Sequence, residues 1–257
     1  MVEPSLIGML WAIGLMAIAI GLARWQGLGL SKTLAIATGR TLIQLLGVGI
    51  VLSFIFATQN PLVILALLLG MVTVAATVAR SRIDRDLPKL LQWVWLAIFT
   101  SGFTTITYVS LLVIHPDPWY DPRYLIPLTG IVLGNAMTAA SIAGERLVNA
   151  LRNNRVEIET HLSLGATPAQ AVQTYRQTAI KAGLIPTINA MMVVGIVTLP
   201  GIITGQLLGG ADPLTAAVYQ ILIMFMLALA TLIASLVVCY GIMQQFFTSA
   251  MQLTDPR

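Results

Sequence analysis

Apolar residues run along this chain in long unbroken blocks, and polar residues gather between them. The blocks fall at about Ser5–Ala23, Thr41–Ala57, Pro61–Ala79, Leu90–Ile114, Tyr124–Ala143, Leu184–Leu208 and Thr215–Met243. Each is long enough to cross a hydrocarbon layer of about 30 Å as a helix. None alternates apolar with polar positions, as the strands of a membrane barrel would. The pattern therefore predicts an all-α, polytopic integral membrane protein with about seven transmembrane helices. Between the second and third blocks stands little more than Thr58-Gln59-Asn60-Pro61, which reads as a tight hairpin turn. The sixth block contains Leu199-Pro200-Gly201, then Gly205, Gly209 and Gly210. A proline that removes a donor, followed by flexible glycines, predicts a helix that breaks or kinks there.

Composition agrees. Of 257 residues, 57% are hydrophobic and 9% charged, against roughly 25% charged in soluble domains. The net charge of +4 is explained by position rather than by nucleic acid, which is not an expected partner. Alternate loops hold Arg24, Lys32, Arg40, Arg80, Arg82, Arg85, Lys89, Arg146, Arg152, Arg155, Arg176, Lys181 and Arg257; the other set holds only Arg123. Basic loops stay in the cytoplasm, so the expected N-terminus is outside and the C-terminus cytoplasmic. Glu3 and the lack of a basic leader read as a retained first helix. The whole chain, 1–257, reads as one transmembrane domain.

Several chemistries are excluded. Gly27-Leu28-Gly29-Leu30-Ser31-Lys32-Thr33 has serine where a phosphate-cradling loop needs glycine, so this chain is not expected to bind ATP. His115 and His161 fall on opposite sides of the expected membrane and cannot share a metal. His115, Asp117 and Asp121 on one outer loop read as a solvated, proline-rich turn, so no metal site is assigned. Cys239 is the single cysteine, set in an apolar run, and the methionines of the spans read as packing filler. No ionisable group lies deep in a span, which argues against a proton-coupled carrier and an intramembrane protease. The candidate pathway residues are Arg40 and Gln44, one helical turn apart; Asn135 and Met137; Asn189 at the start of the sixth span; and Pro200 and Gly201 at its break. Interhelical packing accounts equally well for the polar members of this set.

The one long loop, Gly144–Gly183, lies on the basic side. Leu147, Leu151, Ile158 and Leu162 trace one helical face. Ser163-Leu164-Gly165-Ala166-Thr167-Pro168 follows, in which Thr167 is placed to cap a second helix and Pro168 to open it. That helix carries Ala169, Val172, Tyr175, Ala179 and Ile180. A helix, a sharp turn and a helix held against the membrane suit docking into a soluble partner's groove, or an amphipathic loop lying on the bilayer.

Glu159-Thr160-His161-Leu162-Ser163-Leu164-Gly165 resembles the E-A-A-x-x-x-G loop of ATP-binding-cassette permeases, with both alanines replaced. A narrower match spans nearly the whole chain. It comprises Gly39-Arg40-x-x-x-Gln44-Leu45, Pro127-x-x-Gly130-x-x-x-Gly134-Asn135-Ala136-Met137, Leu162 through Pro168, Leu184-Ile185-Pro186-Thr187, Leu199-Pro200-Gly201-x-x-Thr204-Gly205 and Asp212-Pro213. Together these resemble the Fet-type permease family of bacterial iron-exporter and plant aluminium-tolerance permeases. The resemblance implies a non-enzymatic permease subunit, dimeric, paired with a separate cytoplasmic ATPase that carries the ATP and magnesium. It implies an exporter in metal homeostasis, in a bacterial inner or plasma membrane. Glu159, Leu162, Ser163, Leu164, Gly165, Ala166, Thr167 and Pro168 would then form the coupling element. The cargo stays open between a metal ion, a complex and another solute. Two rival readings are a secondary carrier or channel without an ATPase, and a membrane scaffold or sensor.

Overall fold

Helix starts in this chain are written in its caps. The computed structural model describes residues 6–58, 60–248 and 250–254. Ten α-helices follow in order: α1 (Leu6–Trp25), α2 (Ser31–Thr58), α3 (Pro61–Ile83), α4 (Leu90–Val109), α5 (Pro122–Asn153), α6 (Arg155–Ser163), α7 (Pro168–Ala171), α8 (Gln173–Val193), α9 (Gly201–Leu208) and α10 (Pro213–Phe246). One π-helical turn, Ser110–Ile114, extends α4. Asp121 caps α5 by accepting the Arg123 N–H, and Asp212 caps α10 by accepting the Thr215 N–H, each at 2.9 Å. In both helices proline takes the next position, where its missing N–H costs nothing.

The chain divides after Asn60 into two compact units. In the first, α1 and α2 pack on each other as a hairpin, closed by backbone bonds from Gly27 to Arg24 and from Leu28 to Ala23. Nearly all their apolar side chains face outward, which suits helices whose solvent is lipid.

The second unit is built around α10, which packs most extensively on α5 and α4, while α5 also holds α3 and α8. Small residues set the close approaches. A Cβ on Gly102 would come 2.8 Å from a Leu133 methyl, and one on Gly183 would come 2.8 Å from both the Ala139 carbonyl and the Ser235 hydroxyl. Without a hydrophobic drive between helices in lipid, such approaches supply the packing that holds a bundle together. The larger core cluster runs through Ala76, Leu90, Val94, Ala140, Leu147, Ala234 and Ile242, and continues under the loop as Ile158 and Val172. A second cluster joins Val109, Leu128, Val132, Ile223, Met226 and Leu227.

Among the described residues, six helices are long and apolar enough to cross a membrane, so the chain is an all-α integral membrane protein. They correspond to six of the seven apolar blocks. The remaining block, Leu184–Leu208, is split. α8 ends at Val193, a turn occupies residues 194–200, and α9 follows. The break begins several residues before Pro200. Gly195 takes the left-handed φ of +81 and its N–H donates forward to the Thr198 carbonyl, 2.9 Å away. Pro200 then opens α9 from an extended conformation. The apolar block Tyr124–Ala143 and the amphipathic segment after Glu145 form one helix, because Ala143, Leu147 and Leu151 continue the same buried face.

Candidate functional site

The loop between α5 and α8 folds as a projecting turn on a buried footing. α5 stops at Asn153, and Asn154 leaves helical geometry before α6 begins. α6 buries Ile158 completely, with Leu162 half-covered beside it. On the far side of the turn Ala171 and Val172 are buried in the same cluster. The four apolar positions expected on one helical face are divided by the break at Asn154, Leu147 and Leu151 on α5 and Ile158 and Leu162 on α6, yet all four pack into the same cluster.

Both ends of the turn are closed by local bonds. Gly165 has φ +90, a conformation open to glycine at little cost. Its N–H reaches the Leu162 carbonyl and the Ala166 N–H reaches the His161 carbonyl, both at 3.0 Å. This pair of bonds is a Schellman C-cap, which satisfies carbonyls that α6 would otherwise leave bare. Two residues on, Thr167 and Gln170 form a capping box: the Thr167 N–H donates to Gln170 Oε1 at 2.9 Å, and Thr167 Oγ1 accepts the Gln170 N–H. The Thr-x-x-Gln spacing is a sequence signature of such a box, and Gln170 was not singled out as its second half. Between the two caps sits Leu164, 80% exposed. The two caps hold this apolar side chain outward from the turn.

Further bonds tie this region down. Arg152 Nη1 lies 2.6 Å from an Asp84 carboxylate oxygen, joining the end of α5 to the α3–α4 loop, and the Arg152 guanidinium sits over the Phe246 ring of α10. The Tyr175 hydroxyl bonds the Glu157 carboxylate; partial burial and then that carboxylate hold the phenol above its usual pKa. Glu159 pairs with Arg155 at 2.7 Å on the exposed side of α6. Such a pair is worth a few tenths of a kcal/mol. The end of α5 and the start of α8 flank an open groove of about 610 Å³. Glu145, Arg146, Asn149, Asn153 and Thr178 line it.

The other candidates do not form one site. Asn135 donates to the Ile131 carbonyl of its own helix at 2.9 Å. Met137 packs against the main core. Asn189 is exposed on α8, and Pro200 and Gly201 begin α9. Arg40 and Gln44 are exposed, one turn apart, on α2 of the first unit. Among the described residues no three His, Cys, Asp or Glu side chains gather as a metal site.

The break in the split block was expected at Pro200, and the structure adds a second feature there. Met191, Val194 and Ile202 pack on the cluster that contains Leu128 and Ile223. Ile223 lies ten residues into α10, about 15 Å along it. The non-helical residues 194–200 thus sit at the depth of the spanning helices. Ile196, Val197 and Leu199 point outward from them. Irregular backbone at that depth is tolerated only under protein cover or along an aqueous cavity.

A family model described as "Uncharacterised protein family (UPF0014)" matches residues 6–247. The UPF0014 membrane protein slr1647 of Synechocystis sp. is 49% identical over 95% of this chain and 94% of its own length. Protein ALUMINUM SENSITIVE 3 of Arabidopsis thaliana is 34% identical over 98% of this chain and 89% of its own. The probable iron export permease protein FetB of Escherichia coli is 32% identical over 94% and 92%. No solved structure matches the chain.

Proposed function

The chain belongs to the UPF0014 family of membrane proteins, and from that premise we propose that it is the transmembrane permease subunit of an ATP-binding-cassette exporter. Its partner is a separate cytoplasmic ATPase, which brings the ATP and magnesium; this chain moves solute and catalyses no reaction. It works as a homodimer in a bacterial inner membrane, with Arg80, Arg82, Arg146 and Arg152 on the cytoplasmic side. The name of the FetB relative, a probable iron export permease, supports transport and points to metal homeostasis.

The observation that carries the proposal is the turn between α6 and α7. Its tip, Leu164, projects from two caps, while its footing, Ile158 and Val172, is fully buried in the main core. A rigid foot under a protruding tip passes a push from a soluble partner into the bundle rather than absorbing it. α8 leaves this turn, is clasped between α5 and α10 at Gly183, and ends at the break of residues 194–200. It is the direct link from the docking turn to irregular backbone at membrane depth. ATP-driven closure of the ATPase pair would move the turn, and α8 would carry that motion to the break.

The test is purification from native membranes in mild detergent, before and after Gly165→Pro. The expected result is a stoichiometric soluble ATPase with the unaltered chain, and loss of coupled transport in the variant with membrane insertion intact. A chain that purifies alone at every salt concentration, or transport unchanged by Gly165→Pro, would sink the reading.

A further inference from the structure

Helical serines and threonines in this bundle follow a rule. Thr73, Ser101, Thr138, Ser141 and Thr231 each donate their hydroxyl to a carbonyl three or four residues back, at 2.7 to 3.0 Å. That is how a hydroxyl is satisfied in an apolar helix. Thr105, Thr129 and Ser235 break the rule. They are 1%, 5% and 0% exposed, and their hydroxyls have no hydrogen-bond partner. The Gln220 amide oxygen is likewise without one, in a residue 4% exposed. A buried polar group is costly to leave with nothing to meet it.

These groups lie on facing helices. Gly102 seated against Leu133 fixes the register of the antiparallel α4 and α5. Counting from that contact, Thr105 and Thr129 stand at nearly the same height along the pair. One helical turn from Thr105, Thr129 and Gln220 stand Val109, Val132 and Ile223, and these three pack in a single cluster. Ser235 marks the inner limit, where its hydroxyl meets the clasp at Gly183. Gln220 and Ser235 both lie on the buried side of α10, about 22 Å apart. At its outer end the Tyr219 hydroxyl is also without a partner.

We infer that Thr105, Thr129, Gln220 and Ser235 line a track inside the second unit that takes a neutral, hydrogen-bonding solute rather than a bare metal ion. Hydroxyls and an amide both donate and accept, so they match a solute bearing hydroxyl or amide groups. A bare divalent ion needs anionic ligands to repay its lost hydration, and no acidic or imidazole group stands among these four residues. Cys239, one turn beyond Ser235 on α10, is a lone thiol. That the solute is the exported cargo rests on the permease reading; that the track admits solute does not.

The single cysteine makes a test direct. Cys239→Ala provides a cysteine-free full-length background, into which Gln220→Cys, Thr129→Cys and, as a buried apolar control, Val238→Cys are placed one at a time. Membranes holding each variant are treated with a small water-soluble methanethiosulfonate. The expected labelling is at least about tenfold faster at 220 and 129 than at 238, since only a hydrated thiol ionises and reacts. Sorbitol is expected to slow labelling at 129, and ferrous ion at the same concentration to leave it unchanged. Equal rates at all three positions overturn the track. Slowing by ferrous ion and not by sorbitol overturns the solute class. Labelling needs no ATPase, so loss of the permease reading would show separately, in the purification experiment.

Discussion

Gly165 and Gly195 both take a left-handed conformation in turns between helices, and the surroundings of these two turns are opposite. At Gly165 the turn is closed by a Schellman cap and a capping box, and its flanks are buried in the main core. At Gly195 the turn is held by short backbone bonds to Val193 and Thr198, and its side chains Ile196 and Val197 are exposed at the depth of the spanning helices. The first stands where water satisfies any spare backbone group, so its many bonds serve stiffness rather than solvation. The second stands where each spare group costs several kcal/mol in lipid. That cost persists only if the turn meets protein or an aqueous path. In the proposed permease, a turn seated on the core outside and an exposed turn inside, joined by α8, would deliver motion to a pathway.

Breaking the joint should have the largest effect. Gly183→Leu puts side-chain atoms into the Ala139 carbonyl and the Ser235 hydroxyl. It should destabilise the second unit by about 3 kcal/mol or more, read as a fall in melting temperature in detergent. An unchanged melting temperature would show that α8 is not clasped there. Next comes Gly165→Val, which forces a branched residue into φ +90 at a cost of about 1–2 kcal/mol. The expected result is uncoupled ATP hydrolysis in a folded protein; the same change at Gly195 should impair transport without releasing the ATPase. If the two glycine variants gave the same phenotype, the contrast between the turns would be lost. Thr167→Ala removes one cap and should cost about 1 kcal/mol, seen as faster amide exchange across α7. The smallest effect is at Asp212, whose carboxyl is held below the usual range mainly by its bond to the Thr215 N–H. Its depressed pKa stabilises α10 at neutral pH. That contribution is lost only as pH falls through the lowered value, so Asp212→Asn should flatten the acid limb of a melting curve.

Much of this fold is legible in the residues. Long apolar blocks give spans because backbone groups in lipid have nowhere else to bond. The loop turn is legible because Gly165, Thr167 and Pro168 each have one strong local preference. The pathway is far less so. Asn135 drew attention as an amide in a span, yet its amide is spent on the Ile131 carbonyl. Thr105 and Thr129 look like any threonine in an apolar helix. Only packing shows that their hydroxyls are buried without their usual carbonyl. The extent of the broken helix was hidden for a related reason. Pro200 advertises a break, while the turn itself is made by Gly195 and its bond to Thr198, which no local signal separates from the other glycines of that block.

The central claim is that the tip at Leu164 docks on a soluble ATPase subunit, and a cross-link from that residue tests it most directly. In the Cys239→Ala background, Leu164→Cys would be treated in native membranes with a short thiol-to-amine cross-linker. The account predicts one dominant adduct, containing a single ATP-binding subunit and lost when Gly165→Pro is added. An adduct found only with lipid or a second copy of this chain, or none at all, would contradict it.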